Sequence, residues 1–305
     1  MSKKEQEHDT LGNRQKSYEE LSTSRRLMPN CPIYARIDGR AFHTFCRGLR
    51  NPYSKAFIQA MQDTCKYLVK ETTAVLGYVQ SDEISLGWTD SQHCPFDGRV
   101  QKLESVLASM ASAAFVRYIY RETAHGAYSH GMAEMMEKIE IGPIPCFDCR
   151  VFNVPSKEEL ANAFLWREND AIKNSISGMS LHFYSHKELQ GKNSDEKIHM
   201  MRMKGYCFYD DTEEAFLRGT FWQRETYLKK LGEEEVSKIP ESQRANLVKE
   251  ISDGSYSCWR SRIAKKDIPY RLTDIENKVD VLFYSAKAVL NKENPTFDLS
   301  KKGES

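Results

Sequence analysis

Long hydrophobic runs are missing from this chain of 305 residues. No stretch approaches the roughly 18 consecutive apolar residues that a membrane-spanning helix requires. The polar start, over residues 1–14, has no apolar region of the kind that a secretory signal needs. The sequence therefore predicts a cytoplasmic protein without a membrane partner.

The chain also lacks an excess of charge of either sign and a cysteine framework. Lys and Arg number 44 against 43 Asp and Glu, a formal net charge of +1. That sum predicts no polyanionic partner by itself, although local basic surfaces are compatible with it. Eight scattered cysteines indicate reduced thiols rather than disulfides. The one close pair, Cys146 and Cys149, lacks the second pair that a structural zinc site requires.

The first 155 residues carry a regular order of strand and helix signals. Apolar residues alternate in the predicted strands and recur every three to four positions in the predicted helices. The segments are residues 33–37 (strand), 54–69 (helix), 77–80 and 84–88 (a hairpin), 102–123 (helix) and 146–154 (strand). The order strand, helix, strand, strand, helix, strand is typical of the split βαβ plan, βαββαβ, an antiparallel sheet with two helices on one face. We therefore predict an α+β fold.

Residues 156–290 predict a mainly helical C-terminal appendage with extra strands. Two polar ends, residues 1–15 and 291–305, are expected to be frayed and stay outside the fold. The expected elements of the appendage are helices from 156 and over 169–185, a strand over 220–225, a charged helical region over 226–252 and a strand over 279–284.

Two acidic corners carry the predicted chemistry. Asp38 ends the first strand and is followed by Gly39, while Asp82 and Glu83 lie at the tip of the hairpin. In a split βαβ sheet these elements are neighbours, so two carboxylates would meet and repel unless a divalent cation lay between them. Magnesium is commonly held by one or two carboxylates plus substrate phosphates. From spacing alone the alternative stays open that both corners are ordinary polar turns.

Several blocks, in order, resemble the tRNA-His guanylyltransferase superfamily of 3′-to-5′ RNA polymerases. The stretch over residues 185–192 is similar to the members found in bacteria and their phages. The resemblance covers about residues 30 to 225. Its other blocks are residues 36–43, 77–85, 147–151, 166–170 with Asn174 and Ser175, and 218–220.

The resemblance implies a polymerase-palm-like core and a 5′-end nucleotidyl transfer. A 5′-monophosphorylated tRNA would be activated by ATP, the 3′-hydroxyl of GTP would attack the activated end, and pyrophosphate would then be removed. Asp38 and Asp82 would bind two Mg²⁺ ions with the carbonyl of Gly39, and Glu83 would support catalysis. The nucleotide-binding residues would be Asp38, Gly39, Arg40, Ala41, Phe42, His43, Ser81, Asp82, Asn174 and Arg218. Homotetramers are typical of the family.

Three of these assignments have structural alternatives. His43 is expected to bond phosphate or ribose, or else to pack within its loop. Asn174 and Arg218 are as compatible with structural roles as with nucleotide contact. Arg40 has a stronger case, because a guanidinium can hold phosphate oxygens in pairs.

Two departures separate the chain from the eukaryotic pattern. Residues 51–54 read Asn-Pro-Tyr-Ser where the eukaryotic enzymes carry Lys-Pro-Asn-Asp, with Arg47 or Arg50 as candidate replacements for the lysine charge. Ile172 stands where that pattern has a histidine. The resemblance therefore does not imply specificity for tRNA-His. Repair of 5′-truncated tRNA is expected as much as guanylation of tRNA-His.

Basic clusters are the candidates for RNA contact, since such groups bind phosphates without reading sequence. They are Arg25–Arg26, Arg47 with Arg50 and Lys55, residues 187–204, and residues 260–266 beside Trp259, the first choice. Two rivals to the transferase remain open: a palm-type nucleotide cyclase and a catalytically idle RNA-binding protein.

Overall fold

The structure, a computed structural model, describes residues 10–49, 52–91, 94–124, 130–244, 247–249, 256–293 and 295. Its strands are Ile33–Gly39 (β1), Leu76–Gln80 (β2), Glu83–Trp88 (β3), Phe147–Asn153 (β4), Thr220–Lys230 (β5), Val248–Lys249 (β6) and Tyr256–Lys266 (β7). They form one antiparallel sheet in the order β4-β1-β3-β2-β5-β7-β6.

Helices cover both faces of this sheet. They are Thr10–Thr23 (α1), Phe42–Phe45 (α2), Lys55–Thr72 (α3), Val100–Ala124 (α4), His130–Ile141 (α5), Lys157–Phe183 (α6), His186–Leu189 (α7), Ser194–Met203 (α8), Phe208–Asp211 (α9), Glu214–Arg218 (α10), Glu233–Ser237 (α11), Glu241–Arg244 (α12) and Lys278–Tyr284 (α13). Short 3-10 turns lie at Pro95–Gly98 and Leu272–Asp274. No helix in the described ranges combines the length and the apolar character needed to cross a bilayer.

The predicted split βαβ core is confirmed by the elements and by the strand order β4-β1-β3-β2. Alternation along β1 explains its two faces: Ile33, Ala35 and Ile37 enter the core beneath α3 and α4. The intervening Tyr34 packs on the opposite face against Phe164 of α6, with ring centroids 5.4 Å apart. One face of the sheet therefore belongs to α3 and α4, and the other is partly covered by α6.

Close approach of α3 to the sheet depends on Gly77 in β2. A Cβ at that position would lie 2.4 Å from a methyl carbon of Val69. Such a distance is far inside van der Waals contact, so only glycine lets the helix pack this near the strand.

The C-terminal half differs from its sequence prediction in three places. The two predicted helices after 156 are a single helix, α6. The region 226–252 was predicted to be helical, but β5 continues to Lys230 because it pairs with β7. The short helices α11 and α12 and strand β6 follow in the described part of this region. The strand predicted over 279–284 is wrong, since these residues form most of α13.

The ends of the chain also need a correction. Residues 1–15 were expected to be frayed, yet α1 begins at Thr10. Residues 1–9 lie outside the described part, as do most of the predicted polar tail over 291–305, residues 250–255, and Arg50, Asn51 and His93.

Candidate active site

The end of β1 and the β2–β3 turn meet at one edge of the sheet. Asp38 lies in register with Glu83 of β3 and with Asp148 of β4. Ser81 and Asp82 form the two-residue turn, and the backbone N–H of Gly39 donates to the carbonyl of Asp82 at 3.0 Å. The convergence of the two acidic corners expected from the strand order is therefore observed.

Asp38 experiences the negative charge that this convergence creates. Partial burial raises the pKa of its carboxyl above the ordinary value, and the charges of Asp82 and Asp148 raise it further. Arg36 and Arg150 oppose the shift without cancelling it. The edge is thus an anionic site whose repulsion a bound cation would relieve.

Glu83 is held differently from Asp38 although both lie on the same face. Its buried carboxylate accepts from Nε of Arg167 at 2.6 Å, and Nε of Arg36 lies 3.9 Å away. Burial raises the pKa of Glu83, and the Arg167 guanidinium opposes that rise. Glu83 therefore links α6 to the sheet beside the acidic edge, an arrangement that supports a positioning role.

The loop after β1 is built around a buried phenylalanine. Phe42 packs in the core against Phe57, Phe115 and Phe147, with the ring centroid of Phe147 4.9 Å away. A Cβ at Gly39 would lie 2.5 Å from the Phe42 ring, so the close turn requires glycine. Of the residues predicted to surround a triphosphate, Phe42 can therefore contribute only its backbone.

The neighbours of Phe42 remain open to solvent. Arg40 and His43 are exposed, and Ala41 adopts a left-handed backbone with φ +57. Nε2 of His43 lies 3.0 Å from Oγ1 of Thr44. The N–H groups of Thr44 and Phe45 donate to the carbonyl of Ala41, so the N–H groups of Phe42 and His43 are the donors that the start of α2 presents beside the acidic edge.

A cavity of about 540 Å³ opens beside the turn, and we refer to it as the turn cavity. It is bounded by the loop before α3, the turn, α6 and α10, and its wall includes Ser81 and Asn174. Tyr53 and Phe216 stack within this wall at a centroid distance of 4.5 Å. Ligand pockets commonly enclose about 300–1,000 Å³ behind mostly apolar walls, so the turn cavity can accommodate a nucleoside.

Backbone conformation and local hydrogen bonds orient the polar groups in the wall of the turn cavity. Ser81 has φ +47, a left-handed conformation uncommon for serine, and its hydroxyl donates to Oδ1 of Asp82 at 3.1 Å. The amide of Asn174 donates to Asp170 at 3.4 Å. Both predicted residues therefore lie in the wall of the turn cavity.

Arg218 does not lie at this site. Only 2% of the residue is exposed, and its guanidinium donates to Glu168 at 3.0 Å and to Glu214 at 2.8 Å. It also donates to the carbonyls of Tyr270 and Ile268. With its donors used inside the protein, the predicted nucleotide contact gives way to a structural role.

The departures from the eukaryotic pattern also have structural counterparts. Ile172 is buried in an apolar cluster with Ile176 and Phe208, so this position faces the interior. Ser54 caps α3 by accepting from the N–H of Phe57 at 3.3 Å. Arg47, one candidate for the missing lysine charge, is exposed.

Sequence reasoning assigned no role to Asp148, Arg167 or Trp166, although blocks containing them were noted. Trp166 is 51% exposed, and the guanidinium carbons of Arg36 and Arg167 lie 5.5 and 4.5 Å from its ring centroid. Strand alternation was the signal that could have indicated these residues. It places Arg36 on the same face of β1 as Asp38, and Asp148 on the same face of β4 as Arg150.

Comparisons with known proteins show which family the chain resembles. A family model described as tRNAHis guanylyltransferase matches residues 12–155. A tRNA(His) guanylyltransferase of Schizosaccharomyces pombe is 27% identical over 223 residues, which are 69% of this chain and 78% of that protein.

Two solved structures resemble the protein. A bacterial tRNA(His) guanylyltransferase-like protein in complex with ATP has 33% identity and a TM-score of 0.59, with 70% of this chain and 88% of that chain covered. Another, in complex with GTP, has 27% identity and a TM-score of 0.56, with 84% and 91% covered.

A split βαβ sheet with carboxylates at the end of its first strand and in the facing hairpin turn is compatible with a palm-type nucleotidyltransferase. The similarity to the ATP-bound bacterial protein extends over most of both chains. The chain belongs to the tRNA(His) guanylyltransferase family.

Proposed function

We propose that the protein adds nucleotides in the 3′-to-5′ direction to the 5′ end of tRNA, with magnesium as cofactor and with ATP and GTP as substrates. The observation that carries the proposal is the edge at which the N–H of Gly39 binds the carbonyl of Asp82 and Asp38 experiences the charge of Asp82. Such an edge beside a nucleoside-sized cavity is suited to a metal-bound triphosphate.

The donor set at this edge fits magnesium. Within the described residues no group of three His, Cys, Asp or Glu side chains is arranged to hold a metal. Two carboxylates completed by a backbone oxygen and substrate phosphates are what magnesium commonly uses. Asp38 and Asp82 would hold the ions with the carbonyl of Gly39. The bound metal would supply charge stabilisation for an in-line displacement at phosphorus.

The protein's own residues would place the nucleotide. The turn cavity would take the nucleoside, with Asn174 and Ser81 as polar contacts in its wall. Arg40, His43 and the N–H groups at the start of α2 would hold the triphosphate. Glu83 would act indirectly, by fixing Arg167 and Arg36 beside Asp38.

Repair of truncated tRNA and guanylation of tRNA-His are both within this proposal. The inward-facing Ile172 offers no side chain for a tRNA-His determinant at that position. We propose that base pairing to the 3′ strand selects the incoming nucleotide. The finer expectations also remain proposals: a cytoplasmic homotetramer, and an RNA-gripping role for residues 156–290 beside a catalytic core within residues 1–155.

The test is an extension assay. A 5′-monophosphorylated tRNA that lacks its first nucleotide, incubated with ATP, GTP and magnesium, should become longer by gel analysis. Asp38→Ala should abolish extension while the affinity for tRNA is retained. Asp267→Ala, at an exposed carboxylate outside the site, is the matched control and should extend normally.

The other outcomes exclude the proposal or narrow it. A cyclic nucleotide formed without RNA would instead identify a cyclase. Full activity of Asp38→Ala would remove the metal assignment. Extension of several truncated tRNAs would favour repair, and extension of tRNA-His alone would favour guanylation.

A further inference from the structure

A second cavity, of about 490 Å³, lies between α3, α4 and the β5–β7 strands. We call it the cationic groove. Six basic side chains line it against two carboxylates, those of Asp63 and Glu71. The basic residues are Lys66, Lys70, Arg117, Arg121, Arg224 and Arg262. In a chain whose net charge is only +1, this lining has a local excess of positive charge.

Aromatic rings and backbone carbonyls position several of these cations. The guanidinium of Arg117 lies over the ring of Tyr67 at 4.7 Å, and that of Arg121 lies 5.2 Å from Tyr118. Nη2 of Arg224 donates to the carbonyls of Val69 and Lys70. The groove walls are thus ordered before any ligand binds.

The nearby carboxylates leave positive charge uncompensated. Lys66 pairs with Asp63 at 3.0 Å, Lys70 with Glu71 at 3.7 Å, Arg121 with Glu122 at 2.9 Å and Arg262 with Glu225 at 3.1 Å. Among the described residues, Arg117 and Arg224 are the lining cations that pair with no carboxylate. Nε of Arg224 is buried without a hydrogen-bond partner. The groove therefore retains a net positive charge, carried by Arg117 and Arg224.

The cationic groove is separate from the acidic edge. Arg224 is bonded through its backbone N–H to the carbonyl of Val75, at the start of β2, whereas Asp82 follows the end of β2. Seven residues of extended chain span roughly 20 Å. A single nucleotide held at the edge does not reach that far, so one ligand that occupied both places would be long and anionic.

We propose that the cationic groove binds the phosphate backbone of the RNA substrate at a distance from the reacting 5′ end. This inference rests on the proposed function for the identity of the RNA. Arginine and lysine bind phosphates without reading bases, so the groove would hold different tRNAs equally. Four separate elements supply its cations, and of the basic clusters predicted from the sequence the one over residues 260–266 contributes Arg262.

The experiment compares tRNA binding by Arg117→Ala, Arg121→Ala and the double variant. Both arginines are exposed on α4, where alanine preserves the helix. Binding of fluorescent 5′-monophosphorylated tRNA is measured by anisotropy over a salt series. Each substitution should weaken binding for all tRNAs and lower the slope of log K against log salt by about one.

Lys102→Ala is the matched control, because Lys102 is an exposed cation on the same helix that does not line the groove. It should retain the wild-type affinity and salt slope. Unchanged affinity and slope in the double variant, with unfolding like that of the wild type, would overturn the inference. So would a loss of thermal stabilisation by inorganic pyrophosphate with tRNA affinity intact, since the groove would then serve a small anion.

The two proposals fail in different ways. A wild-type protein that binds tRNA through the groove but does not extend it would refute the proposed function and leave the inference standing. A wild-type protein that extends tRNA, with groove variants of unaltered affinity, would refute only the inference.

Discussion

Asp38 illustrates how a functional group can cost stability. Its carboxyl has a pKa raised by burial and by the charges of Asp82 and Asp148, so the ionised form is disfavoured in the folded protein. We expect Asp38→Asn to raise the free energy of unfolding by up to about 1 kcal/mol at neutral pH, as found when functional strain is removed. Urea denaturation of both proteins measures this difference.

The sign of the pH dependence follows from linkage. A carboxyl with a higher pKa in the folded state destabilises the fold only when ionised, so its penalty is absent below the ordinary value of 3.8 and grows as the pH rises. The advantage of Asp38→Asn should therefore fade on acidification. Magnesium should raise the melting temperature of the wild type more than that of the variant. Equal stability at every pH would contradict the repulsion.

Arg218 was also predicted to be a site residue, but we expect its substitution to lower the stability of the fold and not to raise it. Arg218→Ala would leave the fully buried Glu168 without its ion-pair partner, a change that typically costs about 3–5 kcal/mol. Arg218→Lys should not restore stability, because an ammonium cannot satisfy two carboxylates and two carbonyls together. Denaturation curves measure the loss. A stable Arg218→Ala protein with a raised KM for GTP would instead support nucleotide contact.

The position of a candidate site residue was predictable from the sequence where a motif coincided with a strand end. Asp38 and Asp82 lie at adjacent strand termini, which the element order already implies. Arg218 was placed differently because its burial depends on Glu168, Glu214 and a distant loop, which no local pattern encodes.

At the scale of elements, the stability of helix α3 depends on Ser54, the residue just before its first turn. The Ser54 hydroxyl caps the helix by accepting from the N–H of Phe57. Ser54→Ala should cost about 1 kcal/mol of unfolding free energy, and Ser54→Thr should retain most of the cap. Thermal denaturation measures both.

A second cap provides the control. Ser156 caps α6 in the same way, by accepting from the N–H of Glu159 at 3.3 Å, and does not line the turn cavity. Ser156→Ala should lose similar stability without any change in the KM for nucleotide. Because Ser54 lines the turn cavity, Ser54→Ala should raise that KM as well. Identical KM values for the two variants would show that the turn cavity does not bind the nucleotide.

Helices and strands were predicted more accurately before residue 155 than after it. The core strands and helices carry clear periods, so their order was predictable. The run over 279–284 is short and apolar, which suits a strand or a buried helix equally, and packing of Val281 and Leu282 beneath α6 decides for the helix. The second half of β5 is charged and largely exposed, and only its pairing with β7 makes it a strand.

For the whole molecule, the sheet joins the two predicted domains. Strand β5 pairs with β2, and α6 covers the face that carries Tyr34, Leu76 and Tyr78. A fragment of residues 1–155 would expose this apolar face and leave β2 as an open edge. We therefore expect that residues 1–155 and 156–290 do not fold independently of each other.

We accordingly expect the fragment 1–155 to aggregate or to unfold without a cooperative transition, although it contains both predicted metal ligands. The full chain should unfold in one transition by tryptophan fluorescence and by circular dichroism, because β5 and α6 share the core of the palm. Co-expression with the fragment 156–305 should restore soluble protein by covering the same face. A monomeric fragment 1–155 that melts cooperatively would show that the palm folds alone and that the shared sheet is not required for its stability.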